Sequence, residues 1–446
     1  MAKAKNKLRA IPGVDTILEA VKECALPRPL MVRTIREELK IVRKSKVIPK
    51  PEEITNAVKE RLRDLELSKL QPVINGTGVL LHTNLGRSPI TVPSNGGYTN
   101  LEIDLATGKR GKRAEYLETC LAELCGAEAT MVTNNCAAAL VLILRHLTAE
   151  KKEVVISRGE LVQIGGDYRI PDILESTDAR LKEIGTTNRT NLQDYSKAIS
   201  KETGLILKVH RSNFFMEGFV GSPDRGELAA LARKKRVPFV EDVGSGVFLP
   251  TESWANGHHE PTPKEVLKDG VDLACFSGDK MLGGPQAGII AGKKRFIQAL
   301  KRHPFFRALR CDKLILTSLQ DAAEAYLKNQ SDELPLHQCL TVDIKRLKKR
   351  ADRLIKKLES SCIKVTVSES HSQIGGGSLP QALLPSIAID FFPKGISLKE
   401  FAAQLRRQST PIIGVISNQR FRLDLKTIFP EQDKLLIESI TNIITK

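Results

Sequence analysis

The sequence predicts an α/β fold in which a mostly parallel β-sheet is covered by helices on both faces. From about residue 70 onward, short apolar runs alternate with segments of helical spacing. Runs that are apolar on both faces, separated by helices, indicate parallel strands buried between two helical layers. The predicted strands are Glu153–Ile156, Leu181–Ile184, Leu205–Val209, Pro238–Glu241, Leu273–Phe276 and Gly288–Ala291, and the predicted helices between them are Ala137–Leu147, Leu192–Ile199 and Glu227–Lys235.

Residues 1–65 are predicted to form a small, basic, helical N-terminal domain. Val14, Ile17, Leu18 and Val21 have helical spacing, and the helical pattern resumes after a proline-containing break. Residues 1–50 hold 13 Lys/Arg against 5 Asp/Glu. This surplus fits a solvated helical face and a module that binds a phosphate backbone equally well.

The chain beyond residue 315 is predicted to form a smaller α+β domain. It begins with a long helical stretch that includes eight Lys/Arg between Lys345 and Lys357. A strand-like run at Ser386–Phe391 and a final helix at Gln432–Ile444 follow. The predicted domains are therefore 1–65, 66–315 and 316–446.

Composition excludes several classes of protein. With 41% hydrophobic and 27% charged residues, the chain is neither disordered nor fibrous. No apolar run is long enough to span a membrane. Eight cysteines without a CxxC pair indicate a reducing compartment and predict neither a disulfide framework nor a metal site. The 69 Lys/Arg against 52 Asp/Glu favour a polyanionic partner or an anionic substrate.

The most informative stretch places a lysine directly after a predicted buried strand. It reads Cys275-Phe276-Ser277-Gly278-Asp279-Lys280 and continues into a Gly-Gly-Pro turn. Glycines let the backbone approach a ligand closely, and a neutral lysine amine forms a Schiff base with an aldehyde. Pyridoxal phosphate requires that reaction of its enzyme. On this motif alone, a solvated loop lysine is an equally good interpretation.

Two further loops favour the cofactor. Asp242 ends a predicted strand and could pair with the pyridine nitrogen of pyridoxal phosphate, although a turn-forming role is common for Asp near Gly. Asn135, Cys136 and Ala137 open a predicted helix whose free N–H groups could bind a phosphate, although Asn there could be an ordinary cap. A phosphate-binding helix start, an aspartate and a lysine, in this chain order, predict a fold type I pyridoxal phosphate enzyme.

The chain closely resembles the bacterial selenocysteine synthases, the L-seryl-tRNA(Sec) selenium transferases. The resemblance runs from about Leu70 to the C-terminus and, more loosely, through the N-terminal part. The matching motifs are Gly76-Thr77-Gly78-Val79-Leu80-Leu81-His82-Thr83-Asn84-Leu85-Gly86-Arg87, Ser157-Arg158-Gly159-Glu160-Leu161-Val162, Gly185-Thr186-Thr187-Asn188-Arg189-Thr190, Phe276-Ser277-Gly278-Asp279-Lys280, His303-Pro304-Phe305-Phe306-Arg307-Ala308-Leu309-Arg310 and Ser372-Gln373-Ile374-Gly375-Gly376-Gly377-Ser378-Leu379-Pro380.

The resemblance implies a fold type I transferase with assigned roles. Lys280 would carry the cofactor and Asp279 would support its catalysis. The remaining cofactor contacts would be Asp242, Asn135, Cys136, Ala137 and Ser277, and the arginines holding the anionic selenium donor would be Arg87, Arg307 and Arg310. On a helix, Arg307 and Arg310 would share a face.

The resemblance also implies a reaction and its partners. A cytoplasmic homo-oligomer, a homodecamer in the family, would convert L-seryl-tRNA(Sec) to L-selenocysteyl-tRNA(Sec) with selenophosphate, through a dehydroalanyl-tRNA intermediate bound to pyridoxal 5'-phosphate. The basic N-terminal domain would contact the tRNA. Two alternatives stay open: a pyridoxal-phosphate-dependent lyase acting on a small phosphorylated amino acid or amino sugar, and a catalytically silent nucleic-acid-binding relative.

Overall fold

The computed structural model describes residues 11–92, 97–164, 168–358 and 363–444. They form two compact units, one made of residues 11–73 with Ala403–Pro411 and one made of Ile74–Ala402 with residues 412–444. The second unit therefore contains most of both the predicted catalytic region and the predicted C-terminal region. The lysine-rich residues 1–10 of the predicted N-terminal domain lie outside the described residues.

The first unit is helical, as predicted. Residues 11–73 of this unit form the helices α1 (Val14–Ala20), α2 (Arg28–Lys44) and α3 (Pro51–Leu67). Prolines stand at or next to the first positions of α2 and α3, where their missing N–H costs no hydrogen bond. The helices bury one shared apolar cluster: Ile17, Val21, Leu26, Met31, Ile35, Leu39, Val42, Ile54, Val58 and Leu62.

The second unit is built around a seven-stranded sheet with the strand order β3-β11-β10-β9-β8-β4-β7. Its strands are β3 (Ala129–Thr133), β4 (Glu153–Ser157), β7 (Arg180–Ile184), β8 (Thr203–Val209), β9 (Phe239–Gly244), β10 (Leu273–Ser277) and β11 (Gly288–Gly292). Only β11 runs antiparallel to its neighbours in this sheet. All six predicted strands are confirmed, and β3 is a seventh strand that was not predicted. A separate hairpin joins β5 (Gln163–Ile164) to β6 (Tyr168–Arg169).

Both faces of this sheet are buried. Along β10, Leu273 and Cys275 belong to one apolar cluster, whereas Ala274 and Phe276 belong to the other. This period-2 alternation between two cores is what a sheet covered on both sides requires. The helices of this region are α4 (Glu115–Cys125), α5 (Cys136–Leu147), α6 (Ile170–Glu175), α7 (Leu192–Ala198), α8 (Arg225–Lys235), α9 (Pro263–Lys268), α10 (Lys294–Arg302) and α11 (Lys313–Leu327).

A second sheet of five strands, in the order β15-β16-β13-β12-β2, completes the unit. Its strands are β2 (Val79–Leu81), β12 (Ile363–Gly375), β13 (Ser378–Pro393), β15 (Val415–Ser417) and β16 (Arg420–Asp424). The predicted strand at 386–391 is thus part of a much longer hairpin. β2, distant in sequence, pairs in parallel with β12, with Val79 opposite Gln373 and Leu81 opposite Gly375.

A buried carboxylate anchors the segment that leads into β2. Asp424 accepts hydrogen bonds from the hydroxyls of Ser370, Ser372 and Ser386 at 2.7, 2.9 and 2.6 Å. The backbone N–H of Asp424 donates to the carbonyl of Gly76 at 2.9 Å. The C-terminal sheet therefore fixes the first of the quoted sequence motifs.

The remaining strands and helices belong to neither of these two sheets. A two-stranded parallel pair joins β1 (Ile74–Asn75) to β14 (Ile412–Ile413). The remaining helices are α12 (Pro335–Thr341), α13 (Ile344–Leu358), α14 (Leu398–Arg406) and α15 (Asp433–Ile444). No helix within the described residues combines the length and the apolar character needed to cross a membrane.

Candidate active site

The carboxyl ends of the parallel strands face one cavity of about 270 Å³. Ligand sites in sheets of this type form at that edge. The cavity brings together eight of the ten predicted site residues. Its lining consists of Arg87, Asn135, Cys136, Ala137, Asp242, Gly244, Ser277, Asp279, Lys280 and Gln286.

Lys280 lies in a tight turn directly after β10. The residue is only 5% exposed, although it belongs to neither a predicted strand nor a predicted helix. The turn is held on both sides, because Gly278 N–H donates to Ala287 O at 2.8 Å and Met281 N–H donates to Ser245 O at 3.0 Å. The amine is therefore positioned by backbone hydrogen bonds of the loop that carries it.

A buried tyrosine–histidine pair supports the same loop from behind. The hydroxyl of Tyr326 lies 3.0 Å from the carbonyl of Leu282 and 2.7 Å from Nε2 of His337. A carbonyl only accepts, so a hydroxyl proton directed at Leu282 pairs with the Nε2–H tautomer of His337, which donates to the tyrosine oxygen. Burial lowers the pKa of His337 from 6.5 to about 4, so the ring is neutral at physiological pH.

Asp242 lies within β9 and lines the cavity together with Cys136. The thiol of Cys136 donates to its carboxylate at 3.5 Å. Burial raises the pKa of Asp242, and the neighbouring Lys280 opposes that shift. A cationic ring nitrogen placed beside this carboxylate would stabilise its charged form in the same way.

Two sulfurs flank this carboxylate. The Sγ atoms of Cys136 and Cys275 and a carboxylate oxygen of Asp242 lie within 4.8 Å of one another, a spacing that a metal ion could bridge. The hydrogen bond to Cys275 lowers the pKa of Cys136, but burial and the Asp242 charge outweigh it and leave that pKa raised. The hydrogen bond to Cys136, burial and Asp242 raise the pKa of Cys275 well above its usual value. With no metal ion bound, both sulfurs are therefore neutral thiols at physiological pH.

The amino end of α5 forms another wall of the cavity. Asn135 is the N-cap, and its side chain accepts a hydrogen bond from Ala138 N–H at 2.8 Å. A Cβ on Gly288 would lie 2.1 Å from the carbonyl oxygen of Asn135, so only glycine allows β11 to approach so closely. The first N–H groups of α5, from Cys136 and Ala137, remain available for an anion.

Arg87 is held against Asp279. Its Nη1 lies 2.8 Å from Asp279 Oδ2, and the side chains are 31% and 8% exposed respectively. Arg87 itself has a left-handed backbone, with φ of 63°, directly after Gly86. A non-glycine residue in this region is strained, and such strain concentrates at ligand-binding positions. The turn after β2 therefore directs a guanidinium into the cavity beside Lys280.

Arg307 and Arg310 lie elsewhere in the described chain. Arg307 lies in the 3-10 helix Pro304–Leu309 and Arg310 directly follows it, and neither residue lines the cavity that contains Lys280. Nη1 of Arg310 lies 3.7 Å from Glu102, and the residue lines a separate cavity with Arg113. Arg307 is exposed. Their predicted role in donor binding stays a prediction.

The cavity also contains a residue that the sequence analysis passed over. Gln286, exposed and directly after the Gly-Gly-Pro turn, lines the cavity with Lys280. Next to the cavity, Nε2 of His210 lies 3.2 Å from Oε1 of the buried Glu260. A polar residue that follows a glycine-rich turn beside a reactive lysine is a signal that could have identified Gln286.

Comparisons with known proteins agree with this geometry. The model of the family described as L-seryl-tRNA selenium transferase matches residues 73–429. The chain is 41% identical over 445 residues to the L-seryl-tRNA(Sec) selenium transferase of Carboxydothermus hydrogenoformans, with 95% of each chain covered. It is 38% identical over 452 residues to the Aquifex aeolicus protein of the same name, covering 99% of this chain and 100% of that one.

The solved structure of D-glucosaminate-6-phosphate ammonia-lyase shares the fold. The two superpose with a TM-score of 0.57 at 19% sequence identity, covering 86% of this chain and 98% of that chain. The predicted fold class, that of fold type I pyridoxal phosphate enzymes, is confirmed. The match over residues 73–429 and the near-full-length relatives place this chain in the L-seryl-tRNA selenium transferase family.

Proposed function

We propose that this chain converts L-seryl-tRNA(Sec) to L-selenocysteyl-tRNA(Sec), with selenophosphate as donor and pyridoxal phosphate as cofactor. The observation that carries the proposal is the convergence of Lys280, Asp242, the amino end of α5 and the Arg87–Asp279 pair on one cavity. The names of the relatives supply the charged tRNA as the substrate. By the same family resemblance, the enzyme would work as a cytoplasmic homo-oligomer.

The cavity residues fit the cofactor by their chemistry. Lys280 offers a buried primary amine, Asp242 a buried carboxylate, and Cys136 and Ala137 the free N–H groups of a helix start. These groups would hold an aldehyde, a ring nitrogen and a phosphate respectively, with Asn135 and Ser277 beside them. When bound, pyridoxal phosphate supplies an electron sink that makes the α-proton of an attached amino acid easier to remove.

The remaining residues of the cavity divide the work of the reaction. The Lys280 amine would take the α-proton of the seryl group, since it lies in the cavity, is buried and moves on a flexible stem. Asp279 fixes the Arg87 guanidinium at 2.8 Å. A guanidinium fork suits a small multiply charged anion, so Arg87 would hold selenophosphate next to the seryl Cβ.

Arg87→Ala is expected to raise the apparent KM for selenophosphate by ~10- to 150-fold, because it removes a charge-assisted hydrogen bond worth ~1.5–3 kcal/mol. The variant should still eliminate the seryl hydroxyl, since that step needs no selenophosphate. Arg87→Lys should recover only part of the function, because it keeps the charge and loses the fork. Single-turnover elimination and selenium transfer, followed separately, measure both effects.

Failure of both steps in Arg87→Ala would contradict a donor role and would credit the alternative, a lyase that holds a small phosphorylated substrate. Alanine variants of Arg307 and Arg310, measured in parallel, test the predicted three-arginine cluster. Donor KM values that match the wild type would remove those two residues from the donor site.

The tRNA is proposed to contact the basic helices of the first unit. Replacing the exposed Arg36, Lys40 and Arg43 of α2 by alanine should weaken tRNA binding. It should also make the negative slope of log affinity against log salt shallower by about 2–3. Salt titrations of tRNA binding measure both quantities. The matched control replaces three exposed lysines of α13, Lys345, Lys348 and Lys356, and should keep the wild-type slope. An unchanged slope in the α2 variant would reject this contact.

A further inference from the structure

An exposed aromatic segment leaves the sheet beside the cofactor cavity and has no part in the cavity itself. It follows β8 and contains Phe215 and Phe219, which are 54% and 76% exposed. Among the described residues these are the only two exposed phenylalanines. Two large apolar rings exposed on one short segment indicate a binding surface.

The ring of Phe219 is held in place by a neighbouring loop. The guanidinium carbon of Arg189 lies 4.7 Å from the ring centroid, a cation–π distance. The side-chain amide of Asn188 donates to the carbonyl of Phe219 at 2.5 Å, and Gly221 N–H donates to Asn188 O at 3.0 Å. The exposed ring is therefore pre-organised rather than loosely attached.

This arrangement accounts for motif residues that the cavity leaves unused. Asn188 and Arg189 belong to the motif after β7, and Gly159 belongs to the motif after β4. A Cβ on Gly159 would lie 2.5 Å from Thr187 O and 3.4 Å from the Met216 side chain. Only glycine allows these segments to meet at one edge of the sheet.

The surface carries cations as well as rings. Arg158, Arg189 and Arg211 lie on the segments that meet here, against the acidic Glu183 and Glu217. Arg158 binds Glu183 at 3.1 Å. Within the described part of the chain, neither Arg189 nor Arg211 has an acidic partner at ion-pair distance, which leaves both charges available to an anion.

The start of the segment, at His210 and Ser212, lies near Asp242 and Lys280. The N–H of His210 donates to the carbonyl of Asp242 at 2.9 Å. A Cβ built on Gly244 would lie 3.5 Å from Ser212 Oγ and 3.8 Å from Lys280 Nζ. Phe219 follows Ser212 by seven residues, at most ~25 Å of extended chain. A few nucleotides could therefore connect the aromatic surface to the cavity.

We propose that Phe219 and Arg189, with Phe215 beside them, form a stacking platform for the single-stranded 3' end of the tRNA. The proposal rests on the proposed function, because the seryl group that must reach Lys280 is attached to those terminal nucleotides. Single-stranded RNA is bound by stacking bases on aromatic rings and arginine planes above a cationic surface. The exposed rings and the unpaired arginines supply both parts.

The experiment compares wild type with Phe219→Ala, Phe219→Leu and Phe219→Tyr in the full chain. The probe is a single-stranded RNA oligonucleotide ending in CCA. Alanine and leucine should weaken its binding ~5- to 150-fold, because stacking on a base is lost, whereas tyrosine should keep it. A tRNA transcript that lacks its 3'-terminal nucleotides should bind all four proteins equally.

A second arginine–phenylalanine pair provides a matched control. Arg295 lies 4.5 Å from the ring of Phe296 in α10, which follows β11 and therefore starts at the opposite edge of the sheet. Arg189→Ala should weaken binding of the oligonucleotide, and Arg295→Ala should leave it unchanged. Cofactor absorbance should be the same in every variant.

Equal oligonucleotide affinity for Phe219→Ala and wild type would overturn the platform. A changed oligomeric state with unchanged RNA affinity would also overturn it, because the surface would then be a contact between copies of the chain. Failure of the proposed function is a separate result: wild-type protein that transfers no selenium to seryl-tRNA(Sec) would refute the reaction, while a stacking effect of Phe219 on the oligonucleotide would still stand.

Discussion

Replacing Lys280 by alanine is expected to abolish covalent retention of pyridoxal phosphate and to slow turnover of the charged tRNA by at least ~10²–10⁴-fold, as removal of a proton-transferring group does. Lys280 is the only lysine among the described residues that line the cavity, so no neighbour can substitute for it. Borohydride reduction followed by peptide mapping locates the cofactor, and single-turnover assays give the rate.

Lys280→Arg is the matched control, because it keeps a long nitrogen-containing side chain in the buried turn but lacks the primary amine that bonds to the aldehyde. Arginine should preserve folding and still fail to retain the cofactor. A pyridoxyl label found on a different lysine of the wild-type protein would show that the assignment of Lys280 is wrong.

Acid is expected to destabilise the folded chain through His337. In the unfolded chain this imidazole has a pKa near 6.5, whereas burial lowers the pKa in the folded chain to about 4. Between these values the unfolded chain binds a proton that the folded chain does not, so the free energy of unfolding falls as pH falls. The loss attributable to His337 reaches about 3 kcal/mol at pH 4.

Urea unfolding of wild type and His337→Gln at several pH values between 7 and 4 measures this loss. Glutamine is uncharged and carries an N–H donor near the position of Nε2. The free energy of unfolding of His337→Gln should therefore depend less steeply on pH than that of the wild type. His371→Gln, a change at an exposed histidine of β12, is the control and should follow the wild-type curve. Parallel curves for wild type and His337→Gln would show that His337 does not stay neutral on folding.

The sequence predicts the central sheet well because its signal is local. Strands such as β8 and β10 are apolar on both faces, and that pattern can be recognised without knowing which residues pack against them. The long strand β12 was missed because Ser370 and Ser372 occupy buried positions in it. Their hydroxyls bind the Asp424 carboxylate, which lies more than fifty residues further along the chain, so no local pattern indicates that they are buried.

In the candidate site, too, local sequence patterns predict some positions, whereas others depend on contacts that are distant in sequence. Asn135 and Lys280 come shortly after the ends of β3 and β10, and Asp242 lies near the end of β9; parallel strands bring such ends to one edge. The position of Arg310 depends on how the backbone leaves a 3-10 helix and on the distant Glu102, and neither is visible in the local sequence. The exposure of Gln286 likewise depends on the turn around it.

The pairing of β2 with β12 has a consequence for protein synthesis. Arg87 reaches the cavity from β2, but the partner of that strand lies about 290 residues later, since Leu81 pairs with Gly375. Contacts of such sequence separation form late, and a growing chain folds from its N-terminal end. In a nascent chain, Asn135, Asp242 and Lys280 are synthesised before the C-terminal hairpin that anchors β2 and Arg87. A chain released before that hairpin is synthesised would therefore lack the anchor for its arginine.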